Sequence, residues 1–411
     1  MLDPLDQILK EKEKTINDWI EQKWAGLKPV FYLSCDIRHA GYKIGVVDAN
    51  VFPAGFNNLC SNFSKETASA FHSYFEQYYP QAKNILIYAE EHTRNKFYFK
   101  NLIHIKNLIE KTGKKVQIGM LGQFMTNSKL VANVENQQIM IDRLSREQNQ
   151  ISANGFIPDL IISNNDFSFG LPEIFKDITQ EIIPSPLLGW HRRKKSNFFT
   201  YFDHLIDDFS ALIEMDSWFL KPMTLSINGI KPDEKDSFDM LAKAAEEVLL
   251  KTREKYEHYG IKQEPCAYIK SNSGTYGMGL IMVSSSEDVK SLNRKQRNKL
   301  FASRSGEISS YLVQEAVPTA DFYSGYPLEP VIYCVGKKDV GGFFRIHESK
   351  NEWESLNAPG MTFSCLCLHQ LNEPHETLFL DCKQKESLVR ICRLMGRLAS
   401  IAVSEEAKSS F

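Results

Sequence analysis

A chain of 411 residues, 43% hydrophobic and 24% charged, carries enough apolar surface for two or three packed domains. Its formal net charge of −2 offers no bulk attraction to nucleic acid or an anionic membrane, which argues against both as partners. No apolar run is long enough to span a bilayer, and Met1 to Asp6 is acidic with no signal core, so the expected setting is the cytoplasm.

The eight cysteines (Cys35, Cys60, Cys266, Cys334, Cys365, Cys367, Cys382 and Cys392) form no Cys-x-x-Cys pair, and reduced thiols are the expectation. Cys365-x-Cys367 reads as one face of a strand.

Residues 5–24 repeat Leu5, Ile8, Leu9, Ile16, Trp19 and Ile20 at helical spacing. Val30 to Asp36 and Tyr42 to Asp48 read as strands, joined by a turn that carries Arg38. Helices over 66–79 and 96–111 then alternate with strands over 84–89 and 115–119. A polar stretch, 135–148, reads as a further helix before a strand at 160–163. That rhythm is α/β with a largely parallel sheet. Pro184-Ser185-Pro186 breaks it, and the expected division is an α/β substrate domain over 1–183 and a nucleotide domain over 184–411. Helices are predicted over 198–213, 235–259, 293–301 and 386–403, and strands over 310–315, 329–335 and 340–346.

Lys270-Ser271-Asn272-Ser273-Gly274-Thr275-Tyr276-Gly277-Met278-Gly279 lies between two strand-like runs. Glycines let backbone N–H groups curl around an anion, the hydroxyls add donors, and Lys270 adds a full charge. No Gly-Lys-Ser/Thr follows and no helix opens after Gly279, so the Walker and dinucleotide patterns fail. The stretch fits a phosphate-binding hairpin; it also fits an ordinary turn.

Asp48-Ala49-Asn50 puts a carboxylate and an amide at alternate positions of a strand end, where both oxygens can reach one hard cation. An Asx turn is the plainer reading, and Asp36 and Arg38 on the neighbouring strand end weigh against it. Arg192, Arg193, Lys194 and Lys195 precede a helix, where an anion would also meet free N–H groups. Val313-Gln314-Glu315-Ala316-Val317 has the look of a strand beside an adenine pocket. Arg345 can clamp a phosphate or carboxylate, Glu329 can hold an amine or metal, and Asn357 sits in a turn.

In this order the segments resemble the ATP-grasp fold, and more closely the proteobacterial-type glutamate–cysteine ligase family. The likeness rests on Ser34 to Arg38, Val47 to Asn58, Gly189-Trp190-His191, Lys270 to Gly279 and Asn357 to Met361, which span nearly the whole chain. The order also resembles eukaryotic-type glutathione synthetases.

The resemblance implies ATP- and Mg²⁺-dependent joining of the γ-carboxyl of glutamate to the amine of cysteine. It assigns catalytic roles to Arg38, Lys270 and Arg345. It assigns ATP to Lys194 with Arg193 as rival, and to Lys270, Ser273, Gly274, Thr275, Tyr276, Gly277, Gln314 and Glu315. Substrate falls to Asp36, Arg38, Asn57 and Asn357, and metal to Asp48 and Asn50, with Glu329 or Glu315 completing the set because the glycine loop lacks an acid. Another carboxylate–amine ligase of this fold, or a non-catalytic nucleotide binder, would share the phosphate features. Small-molecule substrates are the expected partners, and a homo-oligomer is left open.

Overall fold

Several strands are buried along nearly their whole length, as over residues 32–39, 160–164, 310–315 and 326–335. The computed structural model describes residues 2–60, 63–91, 94–123, 125, 127–134, 137–231, 234–273, 279–301, 309–366 and 382–410. In chain order, helices α1 (Leu2–Glu11) and α2 (Glu13–Lys23) lead into strands β1 (Tyr32–His39) and β2 (Ile44–Asn50). Helix α3 (Ser64–Tyr78), β3 (Asn84–Ala89), α4 (Lys96–Glu110) and β4 (Lys115–Met120) alternate as predicted. Strands β5 (Lys129–Val134), β6 (Gln137–Glu147), β7 (Gln150–Ala153), β8 (Leu160–Asn164) and β9 (Glu181–Ile183) follow.

Next come α5 (Lys195–Ile213), β10 (Thr224–Asn228), α6 (Lys235–His258), β11 (Ala267–Ser271), β12 (Leu280–Val283), α7 (Ser286–Lys290) and α8 (Arg294–Phe301). Strands β13 (Ser310–Glu315), β14 (Phe322–Tyr323), β15 (Tyr326–Val335), β16 (Lys338–Ile346) and β17 (Thr362–Cys365) precede the last helix, α9 (Cys382–Ser409).

The described residues form three sheets. A seven-stranded sheet has the order β5-β6-β4-β3-β8-β9, with β7 added beside β6; β4, β3, β8 and β9 run parallel. A four-stranded antiparallel sheet has the order β10-β13-β11-β12. A six-stranded antiparallel sheet has the order β17-β16-β15-β1-β2, with β14 beside β15. This last sheet takes strands from both sides of residue 184.

Within the stretch 135–148 where a helix is expected, residues 137–147 form strand β6. Ile139, Ile141 and Leu144 turn inward at near-alternate positions, and β5 supplies the antiparallel partner that a polar ribbon needs. The helix expected over 5–24 is two helices separated at Lys12.

One face of the six-stranded sheet is apolar. Leu33, Cys35, Ile332, Cys334 and Phe344 pack in one core with Leu388, Ile391, Met395 and Leu398 of α9. A Cβ on Gly396 would stand 2.5 Å from Cγ2 of Ile332, so the helix lies close to the sheet only because that position has no side chain. A separate core joins Leu241, Ala245 and Val248 of α6 to Ile269 and Val313 of the four-stranded sheet.

The expectation of reduced thiols is corrected at one position. Cys60 is disulfide-bonded, while Cys35, Cys266, Cys334 and Cys392 are free thiols. Spacing along the chain does not reveal which Cα atoms come within bridging reach. Among the described residues no helix is long and apolar enough to cross a membrane.

Candidate active site

The other face of the six-stranded sheet sets polar and charged side chains among apolar ones, and it forms the floor of a cavity of about 480 Å³. Period-two geometry selects its residues: Ser34 and Asp36 from β1, Asp48 and Asn50 from β2, Val331 and Tyr333 from β15, Phe343 and Arg345 from β16. Asn57 and Asn58, Trp190 and Lys195, Asn164 and Asp166, and the turn Asn357 to Met361 form the walls.

The sheet register puts Asp36 directly opposite Asp48. Like charges facing each other across two strands repel, so each carboxylate needs its own cation. Arg345 meets Asp36 at 3.1 and 3.3 Å. Lys195 meets both oxygens of Asp48 at 2.7 and 2.9 Å. Burial pushes the Asp36 carboxyl above its ordinary value against the pull of Arg345. Burial acts upward on Asp48 too, but Lys195 and Lys270 outweigh it and hold the carboxyl below its ordinary value.

The register between β1 and β2 shifts at Asp36/Ile37, so that Val47 falls between the Asp48 and Val46 pairs. The Val47 carbonyl accepts the Lys270 ammonium at 3.1 Å, and Gln314 accepts it at 2.5 Å. Lys270 therefore bridges the four-stranded and six-stranded sheets. Loss of surrounding water pulls its pKa down to about 8, with Asp48 acting the other way.

Lys195 is placed by the start of α5. Asn272, two residues past Lys270, accepts the Lys195 N–H on its carbonyl at 2.7 Å and the Ser196 N–H on its side chain at 2.8 Å. The first N–H groups of this helix are thus capped by the glycine hairpin, not left for an anion as expected. The Lys195 ammonium stands 4.6 Å from the Trp190 ring centre. At the far end of the hairpin Gly279 has φ +66°, and a Cβ there would crowd Ser271 at 2.9 Å.

Several residues expected in the site stand elsewhere. Arg38 is 5% exposed and fully engaged: Nε meets Glu329 at 2.6 Å, and its other nitrogens reach the carbonyls of Glu352 and Glu354 at 2.9 and 2.6 Å. Glu329 lies directly across from Arg345 in the β15–β16 register and is ion-paired to both arginines. Burial pushes its carboxyl up, but Arg38 and Arg345 hold it below the ordinary value. It is a buried counter-ion and is not among the residues that line the cavity.

Arg193 is spent on Glu406, with contacts of 2.9 to 3.1 Å, and on the Ala49 carbonyl at 2.7 Å. Lys194 is the residue before α5 and its side chain is exposed; Lys195 is the residue of this run that lines the cavity. Glu315 is buried against Lys43 at 2.6 Å, Trp218 Nε1 at 3.2 Å and the Met223 N–H at 3.0 Å. These pairings join residues far apart in sequence, which is why the motifs do not reveal them.

Asp36, Asp48, Asn50, Asn57, Arg345 and Asn357 do line the cavity. Asn50 also accepts the Phe52 N–H at 3.1 Å, the Asx turn of the plainer reading. Ser273 is described at the edge of the hairpin, where its carbonyl accepts the Ser271 hydroxyl. Gly274, Thr275, Tyr276 and Gly277 lie outside the described residues. The sequence pointed to Lys195 only as one of the run Arg192 to Lys195 and to Trp190 only within a matching segment, and Asp166, which also lines the cavity, was missed. The position of Asp166 just past the end of a parallel strand was a usable signal.

Lys195 from the start of α5 and Lys270 from the four-stranded sheet converge on the strand-end carboxylate Asp48, beside a cavity large enough for small acids and amines. With the glycine-bearing hairpin on the four-stranded sheet, this is the architecture of an ATP-grasp-like ligase. The chain belongs to the glutamate-cysteine ligase (GshA) family, which matches it over residues 6–407.

A Methylobacillus flagellatus KT protein assigned as a gamma-glutamylcysteine synthetase has a crystal structure 32% identical in sequence. The match has a TM-score of 0.90 and covers 99% of this chain and 96% of that one. A glutathione synthetase-like effector of Globodera pallida (10% identity, TM-score 0.41) is covered over 82% of its length, by 86% of this chain. D-alanyl-alanine synthetase A of Vibrio cholerae (10% identity, TM-score 0.33) is covered over 79%, by 75% of this chain. Likeness at those two levels decides nothing about this chain. No curated protein matches it. The family and the Methylobacillus structure make the chain an ATP-dependent ligase that joins glutamate to cysteine in glutathione biosynthesis.

Proposed function

We propose that ligation takes place in the cavity over the six-stranded sheet, through an acylphosphate of the glutamate γ-carboxyl. A carboxylate does not condense with an amine at neutral pH because its oxygen is too poor a leaving group. Phosphoryl transfer from ATP removes that obstacle, and the protein's task becomes positioning and charge neutralisation. The observation that carries this reading is Asp48 held at 2.7 Å by Lys195, with Lys270 close enough to depress its pKa.

In this reading Lys195 and Lys270 face the phosphates. Arg345 and Asp36 face the donor amino acid, with Asn57 and Asn357 at the rim. Arg345 keeps one buried nitrogen, Nε, without a partner among the described residues. Asp48 and Asn50 are the residues that would hold Mg²⁺, which supplies neutralisation of the phosphate charge. Two oxygen donors suit a cation that takes most of its ligands from phosphates and water. No group of three or more His, Cys, Asp or Glu that could hold a metal occurs among the described residues. A boundary at residue 184 stays part of the proposal, with both sides contributing to the cavity, Asp36 and Asp48 from one and Arg345 and Asn357 from the other; cytoplasmic operation belongs to the same reading.

Mass spectrometry of products from purified protein given ATP, Mg²⁺, glutamate and cysteine tests it. γ-Glutamylcysteine with ADP and phosphate is the expected outcome; ADP without dipeptide, or a dipeptide from other amino acids at equal rate, contradicts it.

A further inference from the structure

The carboxylates of the cavity are not all neutralised by the protein. Its lining cations among the described residues are Lys195 and Arg345, and both are engaged, by Asp48 and by Asp36 with Glu329. Glu90 has an interaction of its own within the protein. Asp166 differs: it lines the same cavity, is only 9% exposed, and has no ion pair with any described lysine, arginine or histidine.

The position of Asp166 is built. It follows β8, and its Oδ1 accepts the Ser168 N–H at 2.9 Å, which closes an Asx turn. Its carbonyl accepts the Trp190 N–H at 3.0 Å, and the ring of Trp190 lies under Lys195. One residue, Trp190, thus braces Asp166 beside the lysine that holds Asp48. A carboxylate nine-tenths buried without a counter-ion is costly, and a ligand that brings a cation offsets the cost.

We propose that Asp166 binds the amino group of the acceptor amino acid and takes up a proton from it as it attacks. The proposal rests on the acylphosphate reading above. Both amino acids bring an ammonium, but the acceptor's must reach the acyl carbon, which forms beside Lys195 and Asp48. The donor's ammonium is held away from its reacting carboxyl by the length of the side chain.

The step balances. The acceptor enters as R–NH₃⁺ and gives one proton to Asp166. Its lone pair forms the C–N bond at the acyl carbon. The C–O bond to phosphate breaks, and phosphate departs with the bonding pair and the second amine proton.

Asp166→Asn tests this, because the amide oxygen can still accept the Ser168 N–H and keep the turn. Two products are measured: γ-glutamylcysteine with cysteine as acceptor, and γ-glutamyl hydroxamate with hydroxylamine, an amine largely unprotonated at neutral pH. The expected result is a fall in kcat/KM for cysteine of about 10- to 100-fold, the range for a lost hydrogen bond to a charged group. Hydroxamate formation and the KM for glutamate should stay within about twofold, which also reports a folded enzyme. Asp166→Glu should recover part of the cysteine rate. An equal fall in both products, a rise confined to the glutamate KM, or an unchanged cysteine rate would overturn the proposal. Wild-type enzyme that makes dipeptide but no hydroxamate would instead overturn the acylphosphate reading, a separate failure.

Discussion

Replacing Lys195 by alanine, with Lys194→Ala beside it, separates two readings of one basic run. The Lys195 ammonium lies 2.7 Å from Asp48, and its side chain is 11% exposed. A hydrogen bond between charged groups contributes about 1.5–3 kcal/mol. The Asp48 side chain is 39% exposed, so solvent screening reduces the stability loss to about 1–2 kcal/mol.

The catalytic loss should be larger, because a donor to developing phosphoryl charge is removed: about 10²–10³ in kcat, by analogy with a deleted oxyanion donor. Lys194 is exposed, and its replacement should change turnover by less than about twofold. Steady-state ADP release with glutamate and cysteine saturating, plus a denaturant titration of each variant, gives both quantities. If Lys194→Ala costs as much as Lys195→Ala, the placement of the phosphate cation is refuted.

Three further outcomes follow from the charge network. Arg38→Ala should lower stability by about 3–5 kcal/mol, since Glu329 loses one of its two buried partners; thermal unfolding should show the loss, and a normal Tm with a raised glutamate KM would return Arg38 to the substrate. Arg193→Ala should act similarly by stranding Glu406, whose side chain is 2% exposed; a normal Tm with weakened ATP binding would restore Arg193 to the phosphate. Lys270, with its pKa lowered to about 8, carries its charge below that pH and loses it as pH rises through that value. kcat/KM for ATP should therefore fall above about pH 8, and Lys270→Arg should remove that limb from the pH profile.

Regular elements were legible wherever local pattern and partner agreed. The strands flanking the glycine hairpin, the β15–β16 hairpin and the helix over α6 all appear at or near their predicted bounds. Residues 135–148 misled because charges at helical spacing mask a period-two set, Ile139 and Ile141, that has meaning only once β5 lies beside it. Asp48 and Asn50 were legible as cavity residues because alternation along a strand is local. Arg38, Arg193, Glu315 and Glu329 were not, because sequence identifies a charge but not the buried partner that consumes it; Arg193 and Glu406 are 213 positions apart. Lys194 and Lys195 differ by one position at a helix start, and only the Asn272 cap settles which of them turns inward.

Phosphoryl transfer to the donor carboxyl is tested most directly with glutamate labelled with ¹⁸O in its γ-carboxylate. Turnover with ATP and cysteine should deliver one labelled oxygen into the released inorganic phosphate, detected by mass spectrometry. Unlabelled phosphate accompanying γ-glutamylcysteine would contradict an acylphosphate in this cavity.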